Sequence, residues 1–184
     1  MVDVEKNDMW ARRNIAGVVL AGGKSSRMGT NKALLSYKQT PLVEHMQQIL
    51  KDTGIDRVII SGQVDGYESF PDKTPFQGPV KAIEDIIEEN EDAIKGFLFI
   101  PVDMPLLNSD VLDVLLSYPE GAYFNERPLP AYISAPYCKT NAHSVRQMLD
   151  QLNIKPVKIP ESLIPCMENV NTPEEWREIK KHEY

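Results

Sequence analysis

The sequence predicts an α/β protein: a single-domain, three-layer α/β/α sandwich around a mostly parallel sheet. Three observations predict it. Short, continuous apolar runs alternate along the chain with stretches whose apolar residues recur at helical spacing. The first run ends on a glycine pair, the tight turn expected where a central strand gives way to a loop. No internal repeat, low-complexity segment or linker divides the 184 residues, a length at which one core buries roughly two-thirds of the unfolded surface. Strands alternating with helices form parallel sheets covered on both faces, and such sheets take ligands beyond the carboxyl ends of their strands.

Each element follows from local pattern. Residues 1–13 mix acids and bases without an apolar stretch and read as a loose tail, not a secretory leader, ahead of a domain spanning 14–184. Ile15 to Leu20 is the first buried strand, meeting Gly22-Gly23. Thr40-Pro41 offers an N-cap and an N1 proline to a helix carrying Leu42, Met46, Ile49 and Leu50 up to Gly54. Arg57 to Ser61 is β-like, Tyr67 to Pro79 is one long loop, and Val80, Ile83, Ile86 and Ile87 make a helical stripe. Gly96 to Val102 is another buried strand, and Asn108 or Ser109 caps a helix through Leu112, Leu115 and Leu116. Tyr123-Phe124 and Leu129 to Ala135 read as strands around a proline-rich turn, followed by a helix on Val145, Met148, Leu149 and Leu152. Thr172 and Glu175 have capping-box spacing with Pro173 at N1, which starts a terminal helix.

Composition narrows the function. Hydrophobic residues make up 42% and charged residues 26%, as in ordinary globular proteins, and no apolar run approaches a membrane span. The net charge of −7 disfavours broad nucleic-acid binding, which needs a basic face. Yet the segment from Met9 to Val43 holds no acid and six basic residues, Arg12, Arg13, Lys24, Arg27, Lys32 and Lys38. A local cationic site on an acidic protein suits a small polyanion. Cys138 and Cys166 lack the spacing of a zinc site and read as idle thiols in a reducing cytoplasm.

The loop from Leu20 to Lys32 follows the first strand, and its glycines let backbone N–H groups turn toward an anion, phosphate being the natural one. It is neither a Walker A loop, since position 18 is Val18, nor a dinucleotide fingerprint, since Gly22 and Gly23 are adjacent and the next glycine is Gly29. Arg27 and Lys32 are the candidate electrophilic groups, a guanidinium fork and a point charge. Arg27 also reads as a partner for a loop ion pair, and Lys24 carries no role. Asp103, after Phe97-Leu98-Phe99-Ile100, brings a carboxylate to the ligand end of a strand, where a hard cation bridging phosphates takes one or two protein oxygens; an Asp there also suits a simple turn. Pro71-Asp72-Lys73 makes an ordinary turn as well. Asn171 either reaches a second substrate or caps the last helix, and Tyr132 reads as core. His45, His143 and His182 read as structural or exposed.

The segment Leu20-Ala21-Gly22-Gly23, Arg27-Met28-Gly29 and Lys32 resembles the signature of nucleotidyltransferases with the Rossmann-like, glycosyltransferase-A-like nucleotide-diphospho-sugar transferase fold, most closely the molybdenum cofactor guanylyltransferases of the MobA family. Pro71-Asp72, Gly78-Pro79, Ile100 to Pro105 and Asn169-Val170-Asn171-Thr172-Pro173 extend the resemblance from about Asn14 to the end of the chain. It implies that Leu20, Ala21, Gly22, Lys32 and Asp72 contact GTP and that Asp103 contacts both GTP and Mg²⁺. Gly23 and Asn171 join the expected nucleotide site, as does Ser61, which stands where such relatives often carry an Asn. Lys81 departs from the small and apolar residues that usually follow Gly78-Pro79. The resemblance further implies GTP and molybdopterin as substrates, pyrophosphate as product, and transient protein partners in cofactor delivery, with neither nucleic acid nor membrane involved. A cytidylyltransferase, a sugar- or alcohol-phosphate nucleotidyltransferase and a silent nucleotide-binding module share enough of the signature to stand as alternatives.

Overall fold

Continuous apolar runs become strands buried on both faces. β1 (Ile15–Leu20) is flanked by β4 (Arg57–Ser61) and β5 (Gly96–Pro101), both parallel to it. Along β5 the pleat sends Phe97 and Phe99 to one side of the sheet and Leu98 and Ile100 to the other, so all four are fully buried. The computed structural model describes residues 12, 14–22, 31–71 and 78–181. The expectations placed on Gly23, Lys24, Arg27, Asp72 and His182, and nearly all of the N-terminal tail, lie outside the described residues.

Two apolar layers cover the sheet. One side packs α1 (Leu42–Asp52), α3 (Ser109–Leu116) and α5 (Pro173–Lys180), through residues such as Met46, Leu112 and Trp176. The other packs α2 (Pro79–Asn90) and α4 (Val145–Gln151), through Ile83, Ile86 and Met148. The expected three-layer sandwich follows. The remaining sheet strands are β6 (Ala122–Phe124), β7 (Arg127–Ser134) and β8 (Lys155–Val157), in spatial order β4-β1-β5-β7-β6-β8. β7 runs antiparallel to both of its neighbours and the other three pairings are parallel, so the sheet is mostly parallel.

Topology places the ligand crevice. From β1 the chain crosses by α1 to β4 on one flank, then by α2 back over β1 to β5 on the other. The reversal occurs at the carboxyl end of β1, the point where open α/β sheets bind ligands.

Local expectations hold with three corrections. Asn108 and Thr172 cap their helices as expected, the latter with both halves of the capping box, and Ser144 caps α4 without having been anticipated. Thr40 does not cap α1: Thr40–Pro41 is a short strand (β3) paired with Ser36–Tyr37 (β2), and Thr40 Oγ1 bonds the Tyr37 carbonyl instead. Pro41 is left as the N-cap without a side-chain bond. The loop from Tyr67 is partly recruited to the sheet edge, since Phe70 bridges Ser61 and exchanges bonds with Ile60 and Gly62. Lastly, Arg12 does not belong to a phosphate-binding cluster: it pairs with Asp113 at 2.9 Å and donates to the Thr53 carbonyl beyond the far end of α1.

Candidate nucleotide and metal site

The site begins as a clamped turn. Beyond β1, Leu20 accepts a hydrogen bond from Val102 N (3.1 Å), and Ala21 N donates to the Ser61 carbonyl (2.8 Å), so the backbone is held from both neighbouring strands as it leaves the sheet. Ser61 is buried beneath this turn. Gly62, at φ +96°, lies so close that a Cβ there would stand 2.4 Å from Gly22 N. Gly22 itself is exposed, at the mouth of the crevice.

Val102, bonded to Leu20, leads directly to Asp103 at the same end of the sheet. Lys32 Nζ sits between two oxygens, Asp103 Oδ2 at 3.1 Å and Asn171 Oδ1 at 3.0 Å. Local structure aims the lysine: Asn31 caps a short 3-10 turn, Lys32–Leu34, by accepting from Ala33 N, and Ala33 is buried outright. Asp103 is steadied on two sides. Its carbonyl accepts from Val170 N at 2.8 Å, and its Oδ1 accepts from Asn169 Nδ2 at 3.0 Å. Glu175 in the first turn of α5 accepts from the backbone N–H groups of Asn171 and Thr172. The Asn171 amide above all, aided by the Thr172 bonds and by Lys32, holds the Glu175 carboxyl below its ordinary value.

Residues 17–168 match the MobA-like NTP transferase domain, more than four-fifths of the chain. The chain belongs to the MobA-like NTP transferase family. A protein of Xanthomonas euvesicatoria pv. vesicatoria (strain 85-10) named molybdenum cofactor guanylyltransferase is 34% identical to this family member, over 93% of this chain and 97% of its own. The solved structure of molybdopterin-guanine dinucleotide biosynthesis protein A from Archaeoglobus fulgidus superposes with a TM-score of 0.61 at 17% identity, covering 90% of this chain and 97% of that one. The 2-C-methyl-D-erythritol 4-phosphate cytidylyltransferase of Thermus thermophilus gives a TM-score of 0.57 at 13% identity, over 91% and 98%. These two likenesses concern the fold alone.

The structure brings Leu20, Ala21, Gly22 and Ser61 together at the exit of β1, and Lys32, Asp103 and Asn171 together one residue past the Val102–Leu20 bond. Asn171 does not cap the last helix: Thr172 does, while the Asn171 side chain turns to Lys32. The donor set suits a hard divalent cation. An ammonium already occupies the point between a carboxylate and an amide oxygen, the hard ligands Mg²⁺ takes alongside water and phosphate. Among the described residues there is no cluster of three or more His, Cys, Asp or Glu to cage a metal unaided. A cation at Asp103 would therefore depend on oxygens from its substrate. The Lys32–Asp103 pair is partly buried.

Other candidates fall outside the cluster. His45 bonds the Pro105 carbonyl at 3.0 Å and lies edge-on to Tyr37, a structural tie between α1 and the loop after Asp103. Tyr132 is core. Lys81 is engaged along its own helix with the buried Asp85 at 2.6 Å, a bond that raises its pKa. Sequence reasoning missed Asn31 and Gly62, and it quoted Asn169 without a role. A polar residue just ahead of Lys32 was the available signal for the first; the others became visible only when distant segments met.

Proposed function

We propose that this chain is a molybdenum cofactor guanylyltransferase, transferring GMP from GTP to the terminal phosphate of molybdopterin with release of pyrophosphate. The observation that carries the reading is the convergence of Lys32, Asp103 and Asn171 one residue past the Val102–Leu20 bond at the exit of β1. The name of the Xanthomonas relative supports the choice of substrates.

In this reaction an oxygen of the pterin phosphate forms a bond to the α-phosphorus of GTP, and the bond from that phosphorus to the β-phosphate bridging oxygen breaks. The nucleophile is ionised near neutral pH, so the protein needs orientation and charge neutralisation and no general base. The arrangement matches that need. The Gly22 backbone amide at the exit of β1 would orient the phosphates, that of Ala21 being taken by the Ser61 carbonyl, and Lys32 would supply positive charge to them. Asp103 would hold Mg²⁺, with Asn171 as a neutral neighbour. When bound, Mg²⁺ supplies charge neutralisation on the triphosphate and the departing pyrophosphate. The imidazole of His45 takes no part, its Nε2 being engaged by Pro105.

The test is pyrophosphate release by the full chain with molybdopterin, Mg²⁺ and each nucleoside triphosphate in turn. GTP alone should support release. Turnover with CTP alone would replace the guanylyl assignment with a cytidylyl one, and no release with any nucleotide would favour a silent binding module.

A further inference from the structure

We propose that Arg127 is a positioning residue for the metal-holding carboxylate, acting through the side-chain amide of Asn169. The inference rests on the reading that Asp103 holds a divalent cation beside the triphosphate.

Arg127 opens β7, in a hairpin whose register shifts between Tyr123 and Phe124, and its Nη1 donates to Asn169 Oδ1 at 2.5 Å. The Nδ2 of that same amide donates to Asp103 Oδ1 at 3.0 Å. A guanidinium only donates and a carboxylate only accepts, so an amide between them has one workable orientation. Flipped, it would set N–H against the guanidinium and a lone pair against the carboxylate. Arg127 thereby locks the donor of Asn169 on Asp103 Oδ1. The bond from Val170 N holds only the backbone of Asp103; its carboxylate is held by Lys32 on Oδ2 and by the Asn169 amide on Oδ1. With Oδ1 engaged, Oδ2, which shares the Lys32 ammonium with Asn171, is the oxygen presented to a cation. Three segments distant in sequence meet in this relay: the β6–β7 hairpin, the loop preceding α5, and the exit of β5. Arg127 is exposed, and an exposed bond of this kind contributes little to folding, so its effect falls on the carboxylate it orients. Groups that orient metal ligands typically change metal affinity or activity 10–100-fold when removed.

The probe is Mn²⁺ binding to the full chain saturated with GTP, followed by loss of the free-ion EPR signal, with metal-free GTP affinity measured alongside. Arg127→Ala should weaken Mn²⁺ binding about tenfold and leave metal-free GTP affinity and the unfolding midpoint unchanged. Arg127→Lys should restore most of the loss, because an ammonium donates to the same amide oxygen. Asn169→Ala should weaken Mn²⁺ binding at least as much, and in that background Arg127→Ala should add nothing. Unchanged Mn²⁺ affinity in Arg127→Ala, additive losses in the double variant, or an equal fall in metal-free GTP affinity would each overturn the relay while leaving the nucleotide reading in place. A wild-type GTP complex that binds no Mn²⁺ would remove the metal reading itself, and the relay with it.

Discussion

Replacing Gly62 with alanine should damage nucleotide binding from a residue that need not touch the nucleotide. At φ +96° a Cβ at this position would lie 2.4 Å from Gly22 N, 2.5 Å from Gly22 Cα and 3.0 Å from the Ala21 carbonyl carbon. Ordinary heavy-atom contacts begin near 3.5 Å, so two of these approaches are short by about 1 Å. All three atoms are backbone, with no rotamer to swing aside, and the turn itself must move. Gly66 supplies the control: its φ is +86°, yet among the described residues nothing lies within 4 Å of a Cβ built there. Both variants incur the left-handed backbone penalty of roughly 1–2 kcal/mol. Only Gly62→Ala adds an overpacking penalty, about 1–3 kcal/mol, for roughly 2–5 kcal/mol in all. A displacement of about 1 Å at a positioning element costs turnover up to about 100-fold. Urea unfolding and GTP titration of both variants provide the assay. Gly66→Ala should lose a little stability with GTP affinity unchanged, and Gly62→Ala should lose more of both. Equal stability losses with unaltered GTP affinity in Gly62→Ala would refute the claim that Gly62 exists to let the Ala21–Gly22 turn approach.

Three further outcomes are expected. Lys32→Met, which keeps the stem and removes the charge, should lower kcat roughly 10²–10³-fold, as loss of one charge-stabilising donor does, with little change in the unfolding midpoint. Thr172→Ala should cost about 1 kcal/mol by removing the bond to Glu175 N, and should also weaken GTP binding because Asn171 precedes the cap; chemical denaturation and titration check both. For pH, burial above all lowers the His45 pKa from 6.5, against the opposing bond to Pro105. The unfolded chain therefore takes up a proton before the folded one as pH falls. Stability should be full above 6.5 and decline between 6.5 and the lowered folded value. His45→Gln should flatten that part of a stability-versus-pH curve, and an unchanged slope would show that other groups cause it.

Much of the fold was legible because the strongest sequence signals are also the ones tertiary structure obeys. Phe97 to Ile100 is apolar at every position, which suits a strand covered on both faces, and Asn108 and Thr172 each had a cap-forming side chain where a helix had to begin. Thr40-Pro41 misled for a physical reason. The hairpin it joins turns through Lys38 and Gln39 at φ 47° and 66°, conformations that neither residue advertises. β8 is three residues at the sheet edge with two of them exposed, too short and too polar to show alternation. The site divides the same way. Lys32 and Asp103 carry charge within distinctive motifs, whereas Asn169 and Gly62 matter through the segments folding brings to them. Arg12, counted with the basic segment, lies on the far side of α1, because a stretch free of acids in sequence is not one surface in space.

Direct support for the central claim, that the carboxylate at the end of β5 and the turn at the end of β1 serve one triphosphate with a divalent cation between them, comes from GTP binding measured with and without Mg²⁺ in the wild type and in Asp103→Ala. The account predicts that Mg²⁺ tightens GTP binding in the wild type, and that the variant retains the metal-free affinity while losing the enhancement. An Asp103→Ala protein whose GTP affinity still rises with Mg²⁺ as the wild type's does would contradict it.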